Sequence, residues 1–235
     1  MYYITFNDIP SGIYQSQVID VVKYLSSLSN TEVKLIAFLP LSNFKENKKK
    51  IKAQLPQAKV LPIWAGITRW RKVKPLLKLF TKRNQVAICR GPIATKLALG
   101  SFQKVVYDGR AAVKAEVEEF DVTGNKQLGD DFINAEKLAV LQSDYRIAVS
   151  NKLVEYWENE FGYQELNHVV IPCTLTAQVN ELSRKEINER VHLVYSGGIG
   201  PWQSFDLVVK LMRETLIGNE NVFVLFLTKE NKVIN

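Results

Sequence analysis

Four short stretches set arginine, acidic residues or glycine where an apolar run gives way to a helix-like one. The longest is Tyr195-Ser196-Gly197-Gly198-Ile199-Gly200-Pro201-Trp202-Gln203. Glycines let a backbone approach a ligand closely, and a helix start offers unpaired N–H groups and a positive dipole end to a phosphate. Gly197, Gly198, Gly200 and Gln203 are therefore candidate phosphate contacts. The stretch is neither a GxGxxG nor a P-loop ending in GK[ST]. A tight turn that simply needs glycine is the competing reading.

The second stretch is Val106-Tyr107-Asp108-Gly109-Arg110, with Glu116 six residues on. It ends a predicted strand, the place where open α/β sheets hold ligands. Arg110 has the fork that grips a phosphate or carboxylate, and Asp108 and Glu116 would accept sugar hydroxyls. An internal ion-pair network that fixes the loop is the alternative. The third, Cys89-Arg90-Gly91-Pro92, repeats the setting and would point Arg90 into the same crevice as the loop after the first strand, with a surface arginine in a turn as the alternative. The fourth, Asn7-Asp8-Ile9-Pro10-Ser11-Gly12-Ile13, closes the first predicted strand and brings Gly12 and Ile13 to a helix start, where a plain turn with a serine cap is equally open.

Two basic stretches remain, Lys45–Lys52 and Arg69–Lys74. The second places Arg69, Trp70, Arg71, Lys72 and Lys74 on a predicted basic, aromatic helix running to Lys78. That combination suits an anionic membrane surface, and a solvated helix face is the alternative. Nothing resembles an RNP segment, a zinc finger or a helix-turn-helix, so no nucleic-acid partner is expected. Cys89 and Cys173 stand far apart and His168 and His192 are the only histidines, so no metal site and no Ser/His/Asp arrangement is expected. The cysteines fit a reducing cytosol.

These residues need elements to position them. Short apolar runs fall at Tyr2–Phe6, Val33–Leu39, Ala58–Ile63, Val86–Cys89, Lys104–Tyr107, Tyr145–Val149, Val169–Ile171, His192–Tyr195 and Val222–Leu227. Several are apolar throughout, as in strands of a parallel sheet buried on both faces. Helical spacing predicts helices over Tyr14–Leu28, Ile93–Leu99 behind Pro92, Asp130–Gln142 and Asn151–Phe161, the last stopped by Gly162. The alternation predicts an α/β class: a Rossmann-like, doubly wound, mostly parallel sheet, followed by the first βαβ unit of a second Rossmann-like domain. The expected division is 1–180 for the first domain, 181–190 for a polar linker and 191–235 for the start of the second. A length of 235 residues with 46% hydrophobic content supports a real core, and no run approaches the about 18 apolar residues of a membrane span. A net charge of +7 and a pI near 9.3 point to an anionic partner.

Taken together, these stretches resemble the family-four glycosyltransferases, retaining enzymes of the GT-B (two-Rossmann-domain) fold. The resemblance rests on Pro10-Ser11-Gly12-Ile13, on Asp108-Gly109-Arg110 with Glu116, on Ser143–Ser150 followed by Val170-Ile171-Pro172-Cys173, and on Leu193–Gly198. It implies an acceptor-side N-terminal domain, with Gly12, Ile13, Arg90, Asp108, Arg110 and Glu116 toward the acceptor. It implies a donor side in which Gly197, Gly198, Gly200 and Gln203 meet the phosphates of a nucleotide sugar. The acceptor would be a glycan or a lipid-linked sugar, in cell-surface polysaccharide synthesis. The setting would be the cytoplasm or the inner face of the membrane, without metal or other cofactor. The family's donor-side E-x7-E segment would lie beyond Asn235, and Trp202-Gln203-Ser204 stands where an arginine or lysine usually meets the diphosphate. The chain by itself is therefore expected to be inactive, and no residue is assigned as the catalyst. Two other readings compete: a non-catalytic module that binds a sugar, nucleotide or protein, and a nucleotide-sugar epimerase, which would need more acid–base groups in the cleft.

Overall fold

The computed structural model describes residues 1–28, 31–64, 66–82, 84–173, 190–200 and 203–228. The chain divides into two compact units, Met1–Thr176 and Ala177–Asn235. The expected linker at 181–190, apart from Arg190, lies outside the described residues, as do Pro201 and Trp202.

The first unit is a seven-stranded parallel sheet in the order β3-β2-β1-β4-β5-β6-β7. The strands are β1 (Tyr2–Phe6), β2 (Lys34–Leu39), β3 (Lys59–Pro62), β4 (Val86–Arg90), β5 (Lys104–Gly109), β6 (Tyr145–Ala148) and β7 (His168–Val170). Each predicted strand is present, with ends moved by a residue or two. Their apolar runs follow from burial on both faces: all five residues of β1 are buried.

Side chains alternate between two helix layers. Tyr2, Ile4 and Phe6 pack with Trp70, Val73 and Leu77 and with Ile93 and Leu97 of α5 (Pro92–Ala98). Farther along that face, Tyr107 and Ala148 pack with α7 (Lys126–Gln142) and α8 (Asn151–Phe161). On the opposite face, Tyr3, Leu35 and Ile88 pack with Tyr14, Val18, Ile19 and Val22. Those four belong to one helical stretch: α1 (Gly12–Tyr14), a π-helical segment (Gln15–Ile19) and α2 (Asp20–Leu28). Caps end the helices where the sequence offers them. Ser150 accepts from the Leu153 N–H at 3.2 Å at the start of α8, and Gly162 closes it at a φ of 68°.

Two helices stand where no helix was predicted, α3 (Phe44–Gln54) and α6 (Val113–Phe120). The first is so lysine-rich that its apolar stripe shrinks to Phe44, Ile51 and Leu55. The predicted single helix over Arg69–Lys78 is two pieces, a 3-10 segment (Ile67–Val73) with a non-helical break at Arg69, then α4 (Lys74–Phe80). Pro75 opens the second piece in the first-turn position that proline favours.

In the second unit, β8 (Val191–Ser196), α9 (Phe205–Leu216) and β9 (Val222–Leu227) form one βαβ unit with a parallel strand pair. Tyr195, Phe205 and Phe226 pack ring against ring between helix and strands, Phe205 and Phe226 edge to face and Tyr195 tilted against both.

Candidate functional site

The strand order reverses between β1 and β4: the chain winds one way through β2 and β3 and the other through β5, β6 and β7. Such a switch point opens a crevice at the strand C-termini. Arg90 ends β4 there. Its Nε donates to Asp8 Oδ2 at 2.7 Å and its Nη2 to Gln17 Oε1 at 2.9 Å. Asp8 comes from the loop after β1, and Gln17 from the π-helical segment, a distortion that recurs at functional sites.

On the neighbouring strand, in register with Arg90, sits Asp108. It is 1% exposed, a depth at which a carboxylate needs partners. Arg110 Nη2 donates to its Oδ2 at 3.0 Å, and Arg110 Nε lies 2.7 Å from Oδ1 in an ion-pair contact whose angle falls short of a hydrogen bond. Tyr3, wholly buried in β1, donates its hydroxyl to Oδ2 at 2.6 Å. Burial, and next the Asp108 charge, raise the Tyr3 phenol well above its usual range, so it stays a donor. For Arg110, burial works against the charge and the Asp108 carboxylate outweighs it, which keeps the guanidinium protonated. Arg110 Nη1 reaches Cys173 Sγ at 3.5 Å. A cavity of about 460 Å³ opens beside this cluster, lined by Tyr3, Asp20, Tyr24, Asp108, Arg110 and Ile171 among others.

The structure thus brings Arg90, Asp108 and Arg110 together on adjacent strand ends. Gly12 and Ile13 begin α1 over the same edge, and a Cβ on Gly12 would meet nothing within 4 Å, so its backbone is open to approach. Glu116 is set apart. It lies in the first turn of α6 and, among the described residues, makes no hydrogen bond or ion pair with Asp108 or Arg110. Burial raises its carboxyl. Nearby, wholly buried Glu136 of α7 accepts from the Val113 N–H (3.0 Å), the Lys114 N–H (2.8 Å) and the Tyr156 hydroxyl (3.0 Å). It closes the start of α6, and burial pushes its carboxyl up to about 7 against those hydrogen bonds.

In the second unit, Gly197 and Gly198 crowd their neighbours. An added Cβ would lie 3.0 Å from the Tyr195 hydroxyl at Gly197 and 3.1 Å from Gln203 Oε1 at Gly198. Tyr195 donates to the Gly198 carbonyl at 2.5 Å and lies 3.4 Å from Gln203 Oε1. The Tyr195 hydroxyl is thus shared between Gly198 and Gln203. Ser204 makes no side-chain cap at the start of α9, and the first turn carries Asp206.

The five residues expected to face a membrane do not share one surface. Trp70 is 3% exposed, packs in the core and donates its Nε1–H to Asp131 at 3.2 Å, so its ring is not a surface group. The periodicity over Arg69–Lys78 hid this because the chain breaks at Arg69. Arg71 pairs with Asp131 at 2.7 Å, and Lys74 donates to the Leu99 carbonyl at 3.1 Å. Arg69 and Lys72 are exposed.

Tyr3, Asp8 and Gln17 belong to the network around Arg90 and Asp108 but were not singled out in the sequence, nor was Glu136, which holds the start of α6. The signal for Tyr3 was a polar-tipped ring inside an otherwise apolar strand, since a buried tyrosine needs a partner for its hydroxyl. Glu136 carried a similar signal, an acid on the apolar side of a helix.

No protein-family model matches the sequence, and no curated protein matches it. Among solved structures the chain is similar to TarM, a GT-B glycosyltransferase, with a TM-score of 0.61 at 9% identity over 99% of this chain and 72% of TarM. It is equally similar to a point mutant of S. aureus TarM in complex with Fondaparinux, alpha-GlcNAc-glycerol and UDP, with a TM-score of 0.60, 9% identity, and coverage of 99% and 73%. At that identity the likeness is one of fold: this chain is a Rossmann-like α/β protein with a seven-stranded parallel sheet.

Proposed function

We propose that the chain supplies the acceptor side, and the first donor-side βαβ unit, of a retaining glycosyltransferase. It would use a nucleotide sugar and a glycan or lipid-linked acceptor, in cell-surface polysaccharide synthesis. The observation that carries the reading is the pair of arginine–carboxylate couples, Arg90–Asp8 and Arg110–Asp108, on adjacent strand ends at the switch point. Each couple is charge-neutral and rich in fixed donors and acceptors, as recognition of a polyhydroxyl acceptor requires. The likeness to TarM, whose complex holds UDP and alpha-GlcNAc-glycerol, supports the same assignment. Transfer itself would need donors aimed at the charge that develops on the diphosphate. In this reading the backbone N–H groups of Gly198 and Gly200 contribute to that task, those of Gly197 and Gln203 being donated to the Leu227 and Gly200 carbonyls.

The test is saturation-transfer NMR with alpha-GlcNAc-glycerol and UDP on the wild-type chain and on Arg90→Ala and Arg110→Ala. Acceptor contacts should vanish in both variants while UDP contacts persist. Unchanged acceptor contacts in both would refute the crevice as the acceptor site. One observation favours a non-catalytic binding module: among the described residues the start of α9 carries Asp206 and no basic side chain. Sugar release from a nucleotide-sugar panel, measured as free nucleotide, separates the two readings.

A further inference from the structure

The loops after β1, β2 and β3 each expose large apolar side chains. Ile9 and Ile13 follow β1, Leu41 follows β2 and Trp64 follows β3, and all are more than half exposed. In a parallel sheet every strand C-terminus lies on one edge, and β3, β2 and β1 are neighbours. The four residues therefore line one rim. Single exposed apolar residues are ordinary, but a succession on one rim is not.

The stretch that supplies Trp64 and its neighbours is one-sided in charge. Between Glu46 and Asp108 the chain holds fifteen Lys and Arg and no Asp or Glu. Sixteen basic and twenty-four acidic residues are left for everything else, so the positive balance of the whole chain comes from this stretch. Several of its cations sit at the rim: Lys72 Nζ lies 5.9 Å from the centre of the exposed Trp64 ring, Lys48 Nζ lies 5.7 Å from the Phe44 ring at the start of α3, and Arg69 is exposed. The nearby carboxylates are already paired, Glu46 with Lys50 at 2.6 Å and Asp8 with Arg90 at 2.7 Å.

We propose that this rim rests on an anionic bilayer surface, with Ile9, Ile13, Leu41 and Trp64 at headgroup depth and Lys48, Arg69 and Lys72 on the lipid phosphates. Apolar and aromatic tips within a basic collar fit a bilayer interface. A soluble polyanion would engage the collar and gain nothing from three exposed aliphatic side chains. The inference corrects the expected membrane-facing residues, replacing buried Trp70 by Trp64; it shares Ile13 and the strand C-terminal edge with the proposed acceptor site, and vesicle binding tests it without any sugar transfer.

The experiment is vesicle co-sedimentation of the whole chain, with pure phosphatidylcholine against equal parts phosphatidylcholine and phosphatidylglycerol. Binding is expected to the anionic vesicles only. Trp64→Ser should weaken it about tenfold, from the lost burial of a half-exposed indole. Arg69→Gln and Lys72→Gln should each weaken it about fivefold. Leu79→Ser is the control. Leu79 is exposed at the far end of α4, beside Phe80, whose ring meets Lys59 at the opening of β3 on the opposite edge of the sheet. All of these side chains are exposed, so folding, checked by circular dichroism, should be unchanged. Three results would overturn the proposal: no binding to anionic vesicles, equal loss in Leu79→Ser, or binding to inorganic polyphosphate while vesicles are ignored.

Discussion

Asp108→Asn separates a working ion pair from mere proximity. The substitution keeps the shape of the side chain and an oxygen for the Tyr3 hydroxyl, and it removes the one carboxylate that Arg110 pairs with. Breaking a buried pair by deleting one partner costs about 3–5 kcal/mol, because the other charge is left without compensation. Arg110 is 18% exposed, so water recovers part of that, and about 2–3 kcal/mol is the expected loss. For a unit of this size, each kcal/mol lowers Tm by about 2–4 °C, which gives a fall of about 4–12 °C. Differential scanning calorimetry of the first unit's transition measures it. The double variant Asp108→Asn, Arg110→Gln should recover more than half of the loss, since it removes the orphaned cation. A single variant within about 0.5 kcal/mol of wild type, the range of a neutral surface change, would refute the reasoning. So would a double variant that falls further.

Gly109→Ala should destabilise by about 1–3 kcal/mol, because its Cβ would lie 2.5 Å from Trp157 Cζ2 in a packed core; calorimetry and a shifted tryptophan emission report it. Gly12→Ala should leave Tm unchanged or slightly higher, since its Cβ meets nothing, while acceptor contacts seen by NMR weaken as the backbone is shielded. Glu136 sets a pH dependence. Its folded pKa, raised from 4.5 to about 7, makes its contribution full below about pH 4.5 and lost as pH rises through 7, at most about 3 kcal/mol. Glu136→Gln should flatten that part of the denaturation profile, and an unaltered slope would refute the assignment.

The strands were legible because burial on both faces writes itself as unbroken apolar runs, as in Lys34–Leu39 with five buried residues. The Asp108 and Arg90 strand ends were legible for the same reason: a polar residue that ends such a run stands at the sheet edge. Helices that cover the sheet with only a few apolar residues were not. In α3 the lysines outnumber the packing residues, and in α6 no residue is buried. Trp70 was misplaced because a basic and aromatic pattern reads alike whether the ring faces water or core. Only its Asp131 partner, sixty-one residues away in the chain, settles the matter. Long-range partners of this kind, Tyr3 to Asp108 and Arg90 to Gln17 among them, leave no trace in local spacing.

The crevice and the rim differ in how their charges are balanced, and salt tells them apart. In the crevice each arginine has a carboxylate at 2.7 Å, so a ligand meets fixed dipoles and no net charge. Binding there exchanges hydrogen bonds with water and should change little between low and physiological salt. At the rim, Arg69 and Lys72 are exposed and neither forms an ion pair among the described residues. Their attraction to a surface is screened over about 8–10 Å at physiological ionic strength. Vesicle binding should therefore collapse as salt rises, while acceptor contacts persist in the same samples. If both fall together, the crevice arginines are reading negative charge, and the acceptor must be an anion. If neither falls, the rim holds its partner through Ile9, Ile13, Leu41 and Trp64 alone.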